Sequence, residues 1–159
     1  MSKILQIVTH PNKILRKISE EIDVLKPKNT LKTKEFSDLL TDMTETMIKK
    51  DGVGLAAPQI GKNIRVIVVV IDNKIITMIN PKITKRSWSK EAREEGCLSV
   101  PKTYGKVKRH KQINCTYIDK NGKNKKLKLE KMNARVIQHE IDHLDGILFI
   151  DKAKNIIKE

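Results

Sequence analysis

The chain has 159 residues, enough for one domain with a real core and too few for a second of ordinary size. Hydrophobic residues make up 38% and charged residues 33%, and no apolar run approaches the roughly 20 residues that cross a bilayer, so the composition argues for a soluble globular protein and against a membrane-spanning one. The net charge of +14 raises a polyanionic partner, but the lysines are scattered, arginine is confined to six positions and aromatic residues are only 3%, which leaves few platforms for stacking bases. The charge reads as a solvated, lysine-rich surface, with weak attraction to a polyanion as a secondary property.

The N-terminus, Met1 to Val8, lacks the apolar core and small-residue cleavage site of a signal peptide, which predicts a cytoplasmic protein. Residues 4 to 8 alternate weakly, and Asn12 is placed to cap a short helix through Leu15 to Ile22. Residues 26 to 34 read as a polar loop. From Glu35 to Lys50 the pattern is helical, with Phe36, Leu39, Leu40, Met43 and Met47 on one apolar stripe and Lys49 and Lys50 at the C-terminal end. The segment Asp51 to Gly61 is dense in glycine and alanine. It reads as a helix-to-strand connector, or as a place where backbone approaches a ligand closely.

Ile64 to Ile71 is a continuous β-branched run, which predicts a strand buried on both faces. Asp72-Asn73 turns it into Ile75 to Ile79, Asn80-Pro81 should end that strand, and Ile83 to Trp88 forms the next. Strand-like pieces follow at Gly105 to Arg109 and Gln112 to Asp119. Asn121-Gly122 reads as a two-residue hairpin turn, with Lys125 to Leu129 as the return strand. A last helix runs from about Met132 to Asp145, closed by Gly146. Ile147 to Ile150 then packs back before a short charged tail. The sum is a single α+β domain over 1–159: antiparallel β-sheets packed around a late helix, plus an N-terminal helix.

That late helix carries His139-Glu140-Ile141-Asp142-His143. Histidines four apart stack on one helical face and can reach one metal ion, with the glutamate between them placed to take a proton from a metal-bound water. A catalytic metal needs at least one further protein ligand. Few residues follow His143, Phe149 stands where an extended pattern would place a histidine, and Asp145 faces away from the pair. The third ligand therefore comes from upstream. Cys115 lies in the alternating stretch Ile113 to Tyr117 and reads as a buried thiol, whereas Cys97, flanked by Gly96 and Leu98, is the better donor. One thiolate and two imidazoles suit Zn²⁺ or Fe²⁺ rather than Mg²⁺ or Ca²⁺.

Three blocks, Gly52-Val-Gly-Leu-Ala-Ala-Pro-Gln59, Glu95-Gly-Cys-Leu-Ser99 and Gln138-His-Glu-Ile-Asp-His143, resemble the three signature motifs of peptide deformylase in order and separation, over nearly the whole chain. The resemblance implies hydrolysis of the formyl group from the N-formyl-methionyl terminus of nascent peptides, releasing formate. It implies that Cys97, His139 and His143 hold the metal, natively Fe²⁺, with Zn²⁺, Ni²⁺ or Co²⁺ able to occupy the site. Glu140 would move the proton, and the Leu98 backbone N–H and the Gln59 side-chain amide would stabilise the oxyanion. Val53, Gly54, Leu98, Met132, Arg135 (through its aliphatic stem) and Val136 would bind substrate. Arg109 would pair with Glu95, and Asp142 would support the site from outside the ligand set. Partners implied are formylated nascent peptides and a weak association with the ribosome, with no membrane and no specific nucleic acid, for a monomeric protein.

This chain departs from the family pattern at Lys102, where relatives have Gly or Glu, at Tyr104, and in Leu129-Glu-Lys-Met132, where a Gly is usual before the last helix. Two other functions share the chemistry or the charge: a metallopeptidase acting on internal amides, which the missing downstream ligand opposes, and a basic RNA-binding module with a structural metal, which would need a fourth ligand.

Overall fold

The computed structural model describes residues 2–26 and 30–159, so part of the expected polar loop lies outside the described residues. Thr30–Lys32 forms a short 3-10 turn, and Thr33 then caps helix α1 (Lys34–Lys49) by accepting from the Phe36 N–H at 3.2 Å. Phe36, Leu40, Met43 and Met47 are buried on the expected stripe, each contributing about 1.5–3 kcal/mol of transfer free energy.

A five-stranded antiparallel sheet runs in the order β1 (Gly54–Ala56), β2 (Val66–Ile71), β3 (Lys74–Arg86), β6 (Gln112–Ile118), β7 (Asn124–Glu130). The second sheet has three antiparallel strands, β4 (Lys90–Cys97), β5 (Val100–His110) and β8 (Lys154–Lys158). The β-branched run does what its pattern requires. Ile67, Val69 and Ile71 join the core beneath helix α2 (Lys131–Leu144), while Val66 and Val68 pack with the apolar stripe of α1. The large sheet is thus covered by one helix on each face. Helix α2 also touches the small sheet, where the Gln138 amide donates to the His110 carbonyl at 2.9 Å and accepts from the His110 N–H at 3.1 Å. Leu15, Val100, Val107, Leu148 and Phe149 form a third core there.

Several local expectations are corrected. The helix capped by Asn12 is only Lys13–Arg16, because the next backbone groups find tertiary partners: the Ser19 N–H bonds Leu144 and Glu20 bridges to Ile64. Asn80-Pro81 does not end β3. The chain passes through it as a bulge with Asn80 at φ 49°, exchanging β2 for β6 as partner. Ile83 to Trp88 is therefore not a separate strand, and Trp88 lies in the following turn. The β6–β7 turn has three residues between the paired Asp119 and Lys123, because the Asp119 carboxylate accepts from the Asn121 and Lys123 N–H groups. The charged tail forms β8, a fully exposed edge strand on β5. Strand β4 was missed for the same reason: its charged residues lie on a sheet edge. Two departures from the family pattern, Lys102 (φ 56°) and Lys131 (φ 54°), sit in left-handed backbone that glycine adopts without strain.

Candidate metal centre and cleft

Helix α2 places His139 and His143 on one face with ring centroids 5.1 Å apart and planes at 71°. Strand β4 ends beside them, and Cys97 Sγ lies 3.3 Å from His143 Nε2. The donor atoms of Cys97, His139 and His143 all fall within 4.8 Å of one another. Among the described residues no fourth His, Cys, Asp or Glu joins this group. A soft thiolate, two imidazoles and an open side fit a catalytic divalent ion rather than a closed structural one.

Glu95, two residues before Cys97 and therefore on the same strand face, organises the surroundings. One carboxylate oxygen accepts from His139 Nδ1 at 2.9 Å and from Arg109 Nη2 at 2.9 Å; the other accepts from Arg109 Nε at 2.9 Å and Arg135 Nη1 at 2.6 Å. Burial opposes ionisation of Glu95, but these donors outweigh it and hold the carboxyl well below the usual range. With Nδ1 so engaged, His139 presents Nε2 for a metal. In the metal-free chain burial works against protonation of His139, yet hydrogen bonds with Cys97 and Glu95 raise it to about 10. Burial lowers His143 well below its ordinary value, which keeps its ring neutral and ready to ligate. Arg109 also bonds Asp142 at 2.6 Å, so Asp142 supports the site through that guanidinium.

Glu140 is buried, with Oε2 free of any hydrogen-bond partner among the described residues. Burial raises its carboxyl to about 7, against the opposing pull of His139 and Arg109. Strand β1 passes directly over it: a Cβ on Gly54 would fall 2.5 Å from Glu140 Oε1. Gln59 is 2% exposed, its carbonyl accepting from the Ala56 N–H and its amide donating to Ser99 Oγ at 3.1 Å and Cys97 Sγ at 3.5 Å.

These groups open on a cleft of about 540 Å³. All the expected catalytic and substrate-binding residues line it: Glu140, Gln59, Leu98, Val53, Gly54, Met132, Arg135 and Val136, together with Cys97 and His139. His143 is 1% exposed and sits behind them. The Arg135 guanidinium is committed to Glu95 and to the Val107 and Glu91 carbonyls, which leaves its stem for the cleft. Sequence reasoning missed the sharing of Glu95 by two arginines and a histidine, the Ser99 bond to Gln59, and the rim formed by Lys50, Glu94, Lys102 and Tyr104. The i, i+2 spacing of Glu95 and Cys97 was the available signal for the first.

Fold and site together define a hydrolase built on a His-Glu-x-x-His helix, with its third donor supplied by an upstream strand. A family model for polypeptide deformylase matches residues 4–159. The peptide deformylases of Desulforudis audaxviator and Pelotomaculum thermopropionicum are 42% and 45% identical to this chain, the alignments spanning 98% of it in both cases and 97% and 95% of those proteins. The solved peptide deformylase of Thermotoga maritima superposes with a TM-score of 0.89 at 35% identity, over 96% of this chain and 99% of that one. The class I type b enzyme of Acinetobacter baumannii, solved with Met-Ala-Ser bound, gives 0.90 at 33% identity over 96% and 99%. The chain belongs to the polypeptide deformylase family: it is a hydrolase that removes the formyl group from the N-terminal formyl-methionine of nascent polypeptides. The family is metal-dependent, and the Cys97–His139–His143 cluster is able to hold the ion.

Proposed function

We propose that Cys97, His139 and His143 hold one divalent ion, natively Fe²⁺ with Zn²⁺, Ni²⁺ or Co²⁺ as substitutes, and that Glu140 carries the proton during deformylation. The observation that carries this reading is the convergence of three donor atoms within 4.8 Å beside a buried, half-unpartnered carboxylate. When bound, such an ion polarises the formyl carbonyl and makes water nucleophilic near neutral pH. Glu140, raised to about 7, is matched to accepting the proton of the attacking water and returning it to the departing amine. Water oxygen adds to the formyl carbon, the C–N bond breaks, formate leaves, and the amino terminus takes the proton.

The Gln59 amide and the Leu98 N–H serve as oxyanion donors; losing one typically costs about 10²–10³ in rate. The methionine side chain lies against Leu98, Met132, Val136 and the Arg135 stem, with the substrate backbone along Val53 and Gly54. The Met-Ala-Ser held by the Acinetobacter baumannii relative supports the cleft as the seat of the corresponding product. Because helix α2 packs its apolar face on the large sheet and bonds the small one through Gln138, residues 1–159 act as one domain. No described helix is long and apolar enough to cross a membrane. The protein works as a cytoplasmic monomer, and its charge of +14 gives it a weak attraction to the ribosome.

Metal analysis after anaerobic purification tests the assignment. One ion per chain is expected in the wild type and in Glu140→Gln, with loss in Cys97→Ala, His139→Ala and His143→Ala. Full metal content in Cys97→Ala would remove the thiolate from the ligand set, and equal activity in air and under nitrogen would count against iron.

A further inference from the structure

The chain has a single tryptophan, Trp88, and it is fully exposed at the tip of the turn joining β3 to β4. In a chain with five aromatic residues other than histidine, the largest of them stands wholly in water, where a ring face is free to stack. The turn is not loose. The Ser87 N–H donates to the Gln112 carbonyl at 2.9 Å and the Lys111 N–H to the Ser89 carbonyl at 3.1 Å, while Ser87 Oγ both donates to Ser89 O and accepts from the Gln112 N–H. His110 Nδ1 lies 2.7 Å from the Ser87 carbonyl. A pinned backbone thus presents the indole outward, so little ordering is required on binding.

Cations surround it. Lys85 and Arg86 precede the turn, Lys90 follows it, and Lys111 stands in the adjoining β5–β6 turn. Lys131 is tied to Lys111 by its N–H at 3.0 Å, and Lys85 and Lys128 share the row of Asn114 across β3, β6 and β7. All six are exposed, and among the described residues none is engaged in an ion pair. The acids nearby are Glu130, opposite Gln112, and Glu91, which is paired with Arg93.

We propose that Trp88, with Lys85, Arg86, Lys90, Lys111, Lys128 and Lys131, forms a docking surface for unpaired RNA, the indole stacking on a base while the cations hold the backbone phosphates. An aromatic platform inside an electropositive rim is the arrangement that binds single-stranded nucleic acid without reading its sequence. A substrate that emerges from a ribosome brings exposed RNA with it, and Lys131 adjoins Met132 at the cleft mouth, so docking here sets the cleft beside the emerging amino terminus. The proposal rests on the weak ribosome attraction put forward above and gives it an address.

Because Trp88 is the only tryptophan, its fluorescence reports on the surface directly. The full chain is titrated with single-stranded oligoadenylate about 12 nucleotides long, with polyphosphate as a polyanion lacking bases, and with vesicles containing anionic phospholipid. The expected result is quenching by the RNA and not by polyphosphate, with affinity falling as salt rises. Binding by polarisation of labelled RNA should weaken about 5- to 100-fold in Trp88→Ala, and Lys90→Glu/Lys111→Glu should flatten the salt dependence. Formate release from formyl-Met-Ala-Ser should be unchanged in both variants, which separates this surface from the catalytic assignment. Undiminished RNA binding by Trp88→Ala, no RNA binding at all, or a fluorescence response confined to the vesicles would each overturn the proposal.

Discussion

Replacing Gly54 by alanine probes how tightly Glu140 is held without touching a ligand or the carboxylate itself. A Cβ at this position lies 2.5 Å from Glu140 Oε1 and 2.8 Å from its Cγ and Cδ, whereas ordinary contact begins at 3.4 Å. Relief requires roughly 0.9 Å of movement, by the glutamate or by strand β1. Strand β1 is pinned along β2, with Gly54 opposite Val69, so most of the movement falls on the glutamate. Misplacement of about 1 Å costs on the order of 10²-fold in rate, while overpacking costs about 1–3 kcal/mol in stability. Gly52, two residues away, provides the control: its Cβ would meet nothing closer than 3.5 Å, and neither glycine has positive φ. Steady-state formate release from formyl-Met-Ala-Ser should show kcat down about 100-fold in Gly54→Ala, metal content intact, and Gly52→Ala near wild type. Activity of Gly54→Ala within about threefold of wild type, or equal damage in both variants, would refute the reasoning.

Other perturbations test the scaffold. Glu95→Ala leaves the buried Arg135 without a carboxylate and Arg109 with Asp142 alone, and urea titration should register a loss of about 3–5 kcal/mol. Chelator competition should show metal affinity reduced about 10- to 100-fold as His139 loses its orienting acceptor; unchanged affinity would separate Glu95 from the metal site. Burial raises the Cys115 thiol from 9.0 to about 11, so the unfolded chain loses this proton first and stability falls as pH rises from about 9 to 11, by roughly 3 kcal/mol. Cys115→Ala should lack that share of the alkaline decline, and identical pH profiles would count against it. Lys131→Gly releases left-handed strain and should raise stability by about 0.5–1 kcal/mol; a lower thermal midpoint would refute this.

The parts of this molecule that were legible in sequence are those fixed by local chemistry. The β-branched run of β2, the stripe of α1, the Asp72-Asn73 turn with both residues at positive φ, and the His-Glu-x-x-His helix each encode their own geometry. What escaped is set by distant partners. Strand β4 carries no apolar alternation because it is an edge, and β8 exists only because β5 has a free side. Asn80-Pro81 looks like a strand end, but the Asn80 side chain bonds both the N–H and carbonyl of Ile22 and so fixes the bulge that lets β3 continue. At the site, helical spacing pointed to His139, Glu140 and His143 and the want of a downstream donor to Cys97, while Gln59 and Leu98 came only from the resemblance. The hub at Glu95 depends on Arg109 and Arg135 arriving from β5 and α2, which no local pattern states.

The most direct test of the account is formate release from formyl-Met-Ala-Ser by anaerobically purified protein, with Glu140→Gln assayed beside it at equal metal content. The account predicts rapid formate release by the wild type, and a loss of about 10²–10⁴-fold in the variant with its ion still bound. Comparable rates from the two proteins would contradict the role given to Glu140, and no formate from the folded, metal-loaded wild type would contradict the reading of the site as a whole.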